Sequence, residues 1–187
     1  MRVRDASRKL AAWSAKGKDV FTLADLRVLF PDDREDALSE GLRRLVKDGL
    51  LVRAANGVYV YPFGTADRGA LLERVASAFR RGELNYISLE SALSLHGIIS
   101  QIPIDHLTVM TTGRKKLLET PWGTIEFTHT SRKIEDLIDG TVPTDGPPRL
   151  ARPETALRDL RRVGRNTHLI QEGEVDEVID AFRSRNP

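Results

Sequence analysis

The apolar positions of residues 33–62, DREDALSEGLRRLVKDGLLVRAANGVYVYP, change period once. Leu38, Leu42 and Leu45 recur at helical spacing, with Val46 beside them. Steps of about 100° per residue put Ser39, Glu40, Arg43, Arg44 and Lys47 on the opposite side. The pattern predicts a helix that begins in the acidic stretch Asp33–Asp36 and stops at Gly49. Leu50–Arg53 and Val58–Tyr61 then read as short extended runs, joined by an Asn56-Gly57 hairpin turn.

Upstream, residues 5–16 form a helical candidate in which Leu10, Ala11 and Trp13 supply bulk and Gly17 is a stop. Thr22 has the character of an N-cap, with Asp25 at capping-box distance. The helix it opens, LADLRVLF, directs Leu23, Leu26 and Phe30, or the Leu26–Leu29 variant of that face, toward the core that receives Leu42 and Leu45, and Pro31 ends it. The order helix, turn, helix, hairpin is that of a winged helix-turn-helix. On this reading Ser39, Arg43, Arg44 and Lys47 face DNA, Arg34 stands near the helix entrance, and Arg53 and Asn56 place the wing against the duplex. The alternative is an ordinary solvated helix face, diluted by Asp36, Glu40 and Asp48.

Pro62-Phe63-Gly64-Thr65 is the natural junction, which divides the chain into a winged helix-turn-helix DNA-binding domain over 1–64 and a second domain over 65–187. The second domain opens with the helical pattern ADRGALLERVASAFRRG, its apolar face made by Leu71, Leu72, Val75, Ala76 and Phe79. In YISLESALSLHGIIS, Ser88 is a cap for a helix carrying Leu89, Ala92, Leu93 and Leu95, and Gly97 ends it. Pro103 separates this segment from a strand at Leu107–Thr112, with a turn at Gly113. WGTIEFTHT is a further strand and RKIEDLIDG a short helix, while TVPTDGPPRL reads as a connection. Pro153 suits the first turn of PETALRDLRRVG. A last helix includes Val175, Val178, Ile179 and Phe182. The expected fold class is mixed α/β: an N-terminal winged helix-turn-helix followed by a compact α/β domain.

The formal net charge of the 187 residues is only +2, but the excess is local. Up to Gly64 there are 12 Lys and Arg against 9 Asp and Glu, and in the remainder 17 against 18. This favours nucleic-acid contact in the first segment. Two further basic clusters stand in the second. Arg114, Lys115 and Lys116 follow a strand and a glycine turn, and Arg158, Arg161, Arg162 and Arg165 share one broad face if the helix carries them all. Both clusters are candidates for a nucleic-acid or antitoxic surface, weighed against charged turns and self-neutralised solvent faces.

No cysteine is present, which removes disulfides, thiol catalysis and thiolate metal sites. His96, His106, His129 and His168 lie in no HExxH or comparable motif, so no metal or other cofactor is expected. Ser88 lacks the glycines of a nucleophile elbow, and TTGRKK is not a Walker A loop. Glu126 is expected to pair with His129 or a basic side chain. A nuclease reading would need Asp105, Glu126 and Lys115 to converge. The N-terminus has no long apolar run, so neither a signal peptide nor a membrane anchor is expected, and the default location is cytoplasmic.

The segments YISLESALSLHG, LTVMTTGR, WGTIEFTH and LARPETALRDL, in that order behind a winged helix, resemble the AbiEi family. Its members are antitoxins and transcriptional regulators of type IV toxin–antitoxin, abortive-infection systems that act in phage defence. The resemblance implies that residues 65–187 form an AbiEi-like α/β antitoxin domain and that the protein is not an enzyme. It also implies double-stranded promoter DNA with repeated operator sites as partner, and autorepression through the winged helix. A cognate nucleotidyltransferase-like toxin is the implied functional partner, with direct binding left open. The other reading is a winged-helix adaptor that binds a toxin directly. The chain has little beyond LARPETALRDL, shorter than many similar proteins.

Overall fold

The computed structural model describes residues 2–64, 68–100 and 105–185, without the side chains of 172 and 174. Two compact units result, Met1–Phe79 and Arg80–Pro187. Thr65, the first residues of the helical pattern that follows it, and Pro103 lie outside the described residues.

The first unit contains α1 (Val3–Ser14), β1 (Val20–Thr22), α2 (Leu23–Leu29), α3 (Glu35–Lys47), β2 (Val52–Ala55), β3 (Val58–Val60) and α4 (Leu71–Phe79). Its core is one cluster in which Leu38, Leu42 and Leu45 of α3 join Ala6 and Leu10 of α1, Leu26 of α2, Phe30 and Leu51. Trp13 and Ala11 do not enter it. Both are exposed, because Ala6, Leu10 and Ser14, each four residues apart, define the inward face of α1 and leave Ala11 and Trp13 off it.

The Thr22 capping box is present: the Thr22 hydroxyl accepts from Asp25 N–H at 3.1 Å, and Thr22 N–H donates to the Asp25 carboxylate at 2.8 Å. Thr22 also ends β1, a strand that the sequence reading omitted. Three residues are too few to show a period, and β1 exists only because Val20–Thr22 pairs antiparallel with Val58–Val60. The winged sheet is therefore three-stranded, ordered β1-β3-β2. Gly57 turns the hairpin at φ 72°, a left-handed conformation that glycine adopts without Cβ strain. The pairing of β2 with β3 shifts register between Arg53 and Ala55, a bulge at the tip of the wing.

The second unit adds β4 (Asn85–Ile87), α5 (Leu89–Leu95), β5 (His106–Thr111), β6 (Lys116–Thr120), β7 (Gly123–His129), α6 (Ile134–Asp139), β8 (Thr141–Val142), β9 (Arg149–Ala151), α7 (Pro153–Val163) and α8 (Glu172–Arg185). The strands form one mixed sheet ordered β6-β7-β5-β4-β9-β8, with β5/β7 and β4/β9 parallel and the other pairs antiparallel. β5 is buried from Leu107 through Thr111, as befits a strand with a neighbour on each side. Helix α5 packs on β5 and on α7, bringing Leu89, Ala92 and Leu93 together with Ala156, Leu157 and Leu160 in the core.

Pro153 opens α7 as expected. Leu95 does not join the core: it is exposed, one residue before the C-cap of α5. The segment read as a pure connection, TVPTDGPPRL, supplies both β8 and β9. Its prolines and glycine mark the turn correctly but conceal the two- and three-residue strands at its ends. Ser88 occupies the N-cap position of α5, yet its side chain makes no cap bond, because Asp159 takes it instead.

Replacing Thr22 by Ala removes the reciprocal cap while leaving β1 paired. Chemical denaturation is expected to show a loss of about 1 kcal/mol.

Candidate nucleic-acid interface

The burial of Leu38, Leu42 and Leu45 forces the polar positions of α3 outward. Ser39, Arg43, Arg44 and Lys47 are all exposed, as are Arg34 at the N-cap and Arg53 and Asn56 on the wing. These residues do not form one uniform strip. A hollow of about 390 Å³ lies between α3 and the hairpin, with Leu23, Leu38, Leu42, Val46 and Tyr59 among its walls and Ser39, Arg43, Arg53 and Asn56 at its polar positions. Arg44 and Lys47 are not part of that hollow. At about 100° per residue they lie further round α3, on its solvent arc.

The wing side is pre-shaped. Arg53 Nη2 donates to Asn56 Oδ1 at 2.9 Å, and Arg53 Nε donates to the Ala55 carbonyl at 3.4 Å, so the bulge and the Arg–Asn pair hold each other. On the helix side, Arg43 pairs with Glu40 at 2.5 Å, one turn apart. Arg27, which the sequence reading did not single out, also lines the hollow and pairs with Glu35 at the start of α3. Tyr59 was missed as well, although its place between inward-facing Val58 and Val60 was legible as strand alternation. Exposed ion pairs of this kind are weak, contributing about 0–1 kcal/mol.

In the second unit His129, at the end of β7, touches Gly113, beside one basic cluster, and Arg162, within the other. β5 and β7 run parallel, with Thr111 opposite His129, so the Gly113–Lys116 turn and the end of β7 emerge together. His129 Nδ1 donates to the Gly113 carbonyl at 2.8 Å, and Arg162 Nη2 donates to the His129 carbonyl at 3.3 Å. Arg80 donates to the Arg114 carbonyl and lies 5.0 Å from the centre of the Phe127 ring. Arg114, Lys115, Lys116, Arg158, Arg161 and Arg162 are exposed.

Arg165 departs from the expected arrangement. α7 ends at Val163, and Gly164 adopts the left-handed C-cap conformation, so Arg165 leaves the helical face shared by its neighbours. Its guanidinium grips both oxygens of Glu90, at 2.9 and 3.2 Å, and Glu126 at 2.5 Å. Asn166 donates to the same Glu90 at 2.9 Å. Burial alone would raise the Glu90 carboxyl, but the bonds from Arg165 and Asn166 outweigh it and hold the group below its ordinary value. Burial likewise opposes the charge on Arg165, and the two carboxylates overcome it and raise its pKa. Glu126 thus pairs with a basic side chain as foreseen, with Arg165 and, at 3.5 Å, His106, rather than with His129.

A second buried group lies under the sheet. Asp159 is fully buried and accepts from the Tyr86 hydroxyl at 3.0 Å and the Ser88 hydroxyl at 2.9 Å, both through Oδ2. Oδ1 has no hydrogen-bond donor among the described residues and faces Arg132 at 3.7 Å. Leu89, next to Ser88, holds φ 56° with its side chain fully buried, a backbone state that the surrounding packing must maintain. Burial raises the Asp159 carboxyl despite these partners, and with Asp159 it raises the Tyr86 phenol.

Residues 8–62 match the family model described as "Transcriptional regulator, AbiEi antitoxin". The first unit of this chain is similar to AbiEi regulators. The matched class is regulatory rather than catalytic, and the match falls on the unit that carries the α3 face and the wing. A crystal structure of the RV2827C protein from Mycobacterium tuberculosis has a similar fold, with a TM-score of 0.64 at 18% identity, covering 100% of this chain and 73% of that one. No curated protein matches this chain. Among the described residues no helix is long and apolar enough to cross a membrane.

A carboxyl whose pKa is higher folded than unfolded weakens the fold as pH rises. Stability contributed at Asp159 should therefore fall from its ordinary value of 3.8 upward and level off above the raised pKa. Asp159→Asn keeps an oxygen for Tyr86 and Ser88 but cannot ionise. The difference between wild-type and variant urea midpoints, followed against pH, is expected to shift in favour of the variant across that window.

Proposed function

We propose that this protein is a DNA-binding transcriptional autorepressor and the antitoxin of a type IV toxin–antitoxin system, opposing a nucleotidyltransferase-like toxin. The observation that carries the DNA-binding part is the exposed polar and cationic arc of α3, flanked by a wing whose Arg53 and Asn56 brace each other. On this reading α3 enters the major groove of promoter DNA. Ser39 and Arg43, beside the hollow, reach base edges, and Arg guanidinium suits bidentate contact to guanine. Arg34, Arg44 and Lys47 contact phosphates, and Arg53 and Asn56 seat the wing on the backbone. Bound protein obstructs its own promoter, and repeated operator sites receive successive protomers. The exposed cations around the Gly113–Lys116 turn and α7 extend the footprint or carry the antitoxic surface. The antitoxin part and the toxin's class rest on the family resemblance.

A second reading, an adaptor that docks a toxin directly, has one feature in its favour. Trp13 and Val28 stay exposed, at 42% and 80%, beside a hollow lined also by Lys18, Phe21, Asp25 and Leu29, and none of these residues belongs to the α3 hollow. It predicts a stable complex with the neighbouring gene product and negligible promoter affinity.

The deciding measurement is fluorescence-anisotropy titration of the native upstream duplex and a shuffled duplex across a salt series. Tight, salt-sensitive binding to the native duplex is expected, and equal weak binding to both would sink the repressor reading. Arg43→Glu with Lys47→Glu should weaken promoter binding at least tenfold, from the loss of roughly 1–3 kcal/mol at each contact, with an unchanged melting temperature. Unchanged affinity would reject the assignment of the α3 face.

A further inference from the structure

The outer strand of the second unit's sheet is β6, and among the described residues no strand pairs with its far side. Lys116, Leu117 and Glu119 are exposed along it, Leu117 at 58%, while Leu118 is buried. A free edge presents backbone N–H and C=O groups to another chain, and lysines there ordinarily repel one. Here both charge signs are present. Side chains alternate along an extended segment, so Lys115, just before β6, shares one face with Leu117 and Glu119. The exposed leucine thus stands between a cation two positions before it and an anion two positions after it.

We propose that β6 pairs with β6 of a second copy of this chain, antiparallel and centred on Leu117, so that the sheet continues across a twofold axis. An axis perpendicular to the sheet leaves each face on its own side, so only registers centred on a residue oppose side chains of the same face. Centring on Leu117 sets Leu117 against its own counterpart, Lys115 against the partner's Glu119, and Glu119 against the partner's Lys115. Centring on Leu118 would oppose Leu117 to Glu119 and lose both ion pairs. Centring on Lys116 would oppose that lysine to itself. One register therefore covers the exposed leucine and satisfies both charges at once. A single short strand pair is a small interface, so the dimer should be weak, in the range of about 1–100 μM.

The test is sedimentation equilibrium of the full chain from about 0.5 to 500 μM, a span that brackets that affinity. No DNA is present, so the outcome is independent of promoter binding. The wild-type chain should dimerise. Glu119→Lys and Lys115→Glu, each alone, convert two opposite-charge pairs into two like-charge pairs and should weaken the dimer roughly tenfold or more. Mixing the two single variants restores opposite charges at both positions and should restore dimers as heterodimers. The double exchange should dimerise like wild type. A wild-type chain that stays monomeric over the whole range, or a dimer that neither single substitution weakens, overturns the proposal.

Discussion

The burial of Leu38, Leu42 and Leu45 is the constraint on which the first unit depends. A helix of 13 residues such as α3 is marginal in water on its own and persists because its apolar stripe is covered. Here the cover is Leu10, Leu26, Phe30 and Leu51 in one cluster. The same act that hides three leucines turns Ser39, Arg43, Arg44 and Lys47 to solvent. Packing and charge display are therefore one decision: a residue cannot rotate off the cationic arc without pulling a leucine out of the core. The wing is tied to that frame through β1, which pairs with β3 and hands directly into the capped start of α2.

In the second unit, arginines with the same sequence character meet different fates. Arg158, Arg161 and Arg162 project from α7 into solvent, whereas Arg165 is spent inside the domain on Glu90 and Glu126. The difference comes from Gly164, whose left-handed turn ends the helix one residue before Arg165. A charge count treats these four side chains alike, but exposure separates Arg165 from the other three. Asp159 shows the opposite economy: an acid without exposure, kept by two hydroxyls and a nearby guanidinium. Such a polar knot links β4, α5 and α7 and helps specify how the helices sit on the sheet.

Much of the first unit could be read from the chain, because its signals are local. The period of Leu38, Leu42 and Leu45, the Thr22–Asp25 spacing and the Asn56-Gly57 turn each depend on residues a few positions apart, and each appears in the structure. Misreadings arose where a side chain had two plausible uses. Trp13 has the bulk of a core residue, but the face of α1 is set by Ala6 and Leu10. Ser88 has the chemistry and position of a cap, but Asp159, 71 residues away, holds its hydroxyl.

The sequence by itself determined the amphipathic helix α3, the cap of α2, the hairpin and the mixed α/β character of the remainder, since each is set by the conformational preferences of neighbouring residues. Tertiary structure alone decided the strand order, the short strands β1, β4, β8 and β9, the withdrawal of Arg165 from its basic cluster, and the outermost place of β6 among the described strands. These depend on backbone and charge pairings between segments far apart in the chain, such as Glu90 with Arg165 across 75 residues. No local period encodes a partner at that distance. It is chosen when burial brings the segments together and leaves each polar group to find whichever partner remains within reach.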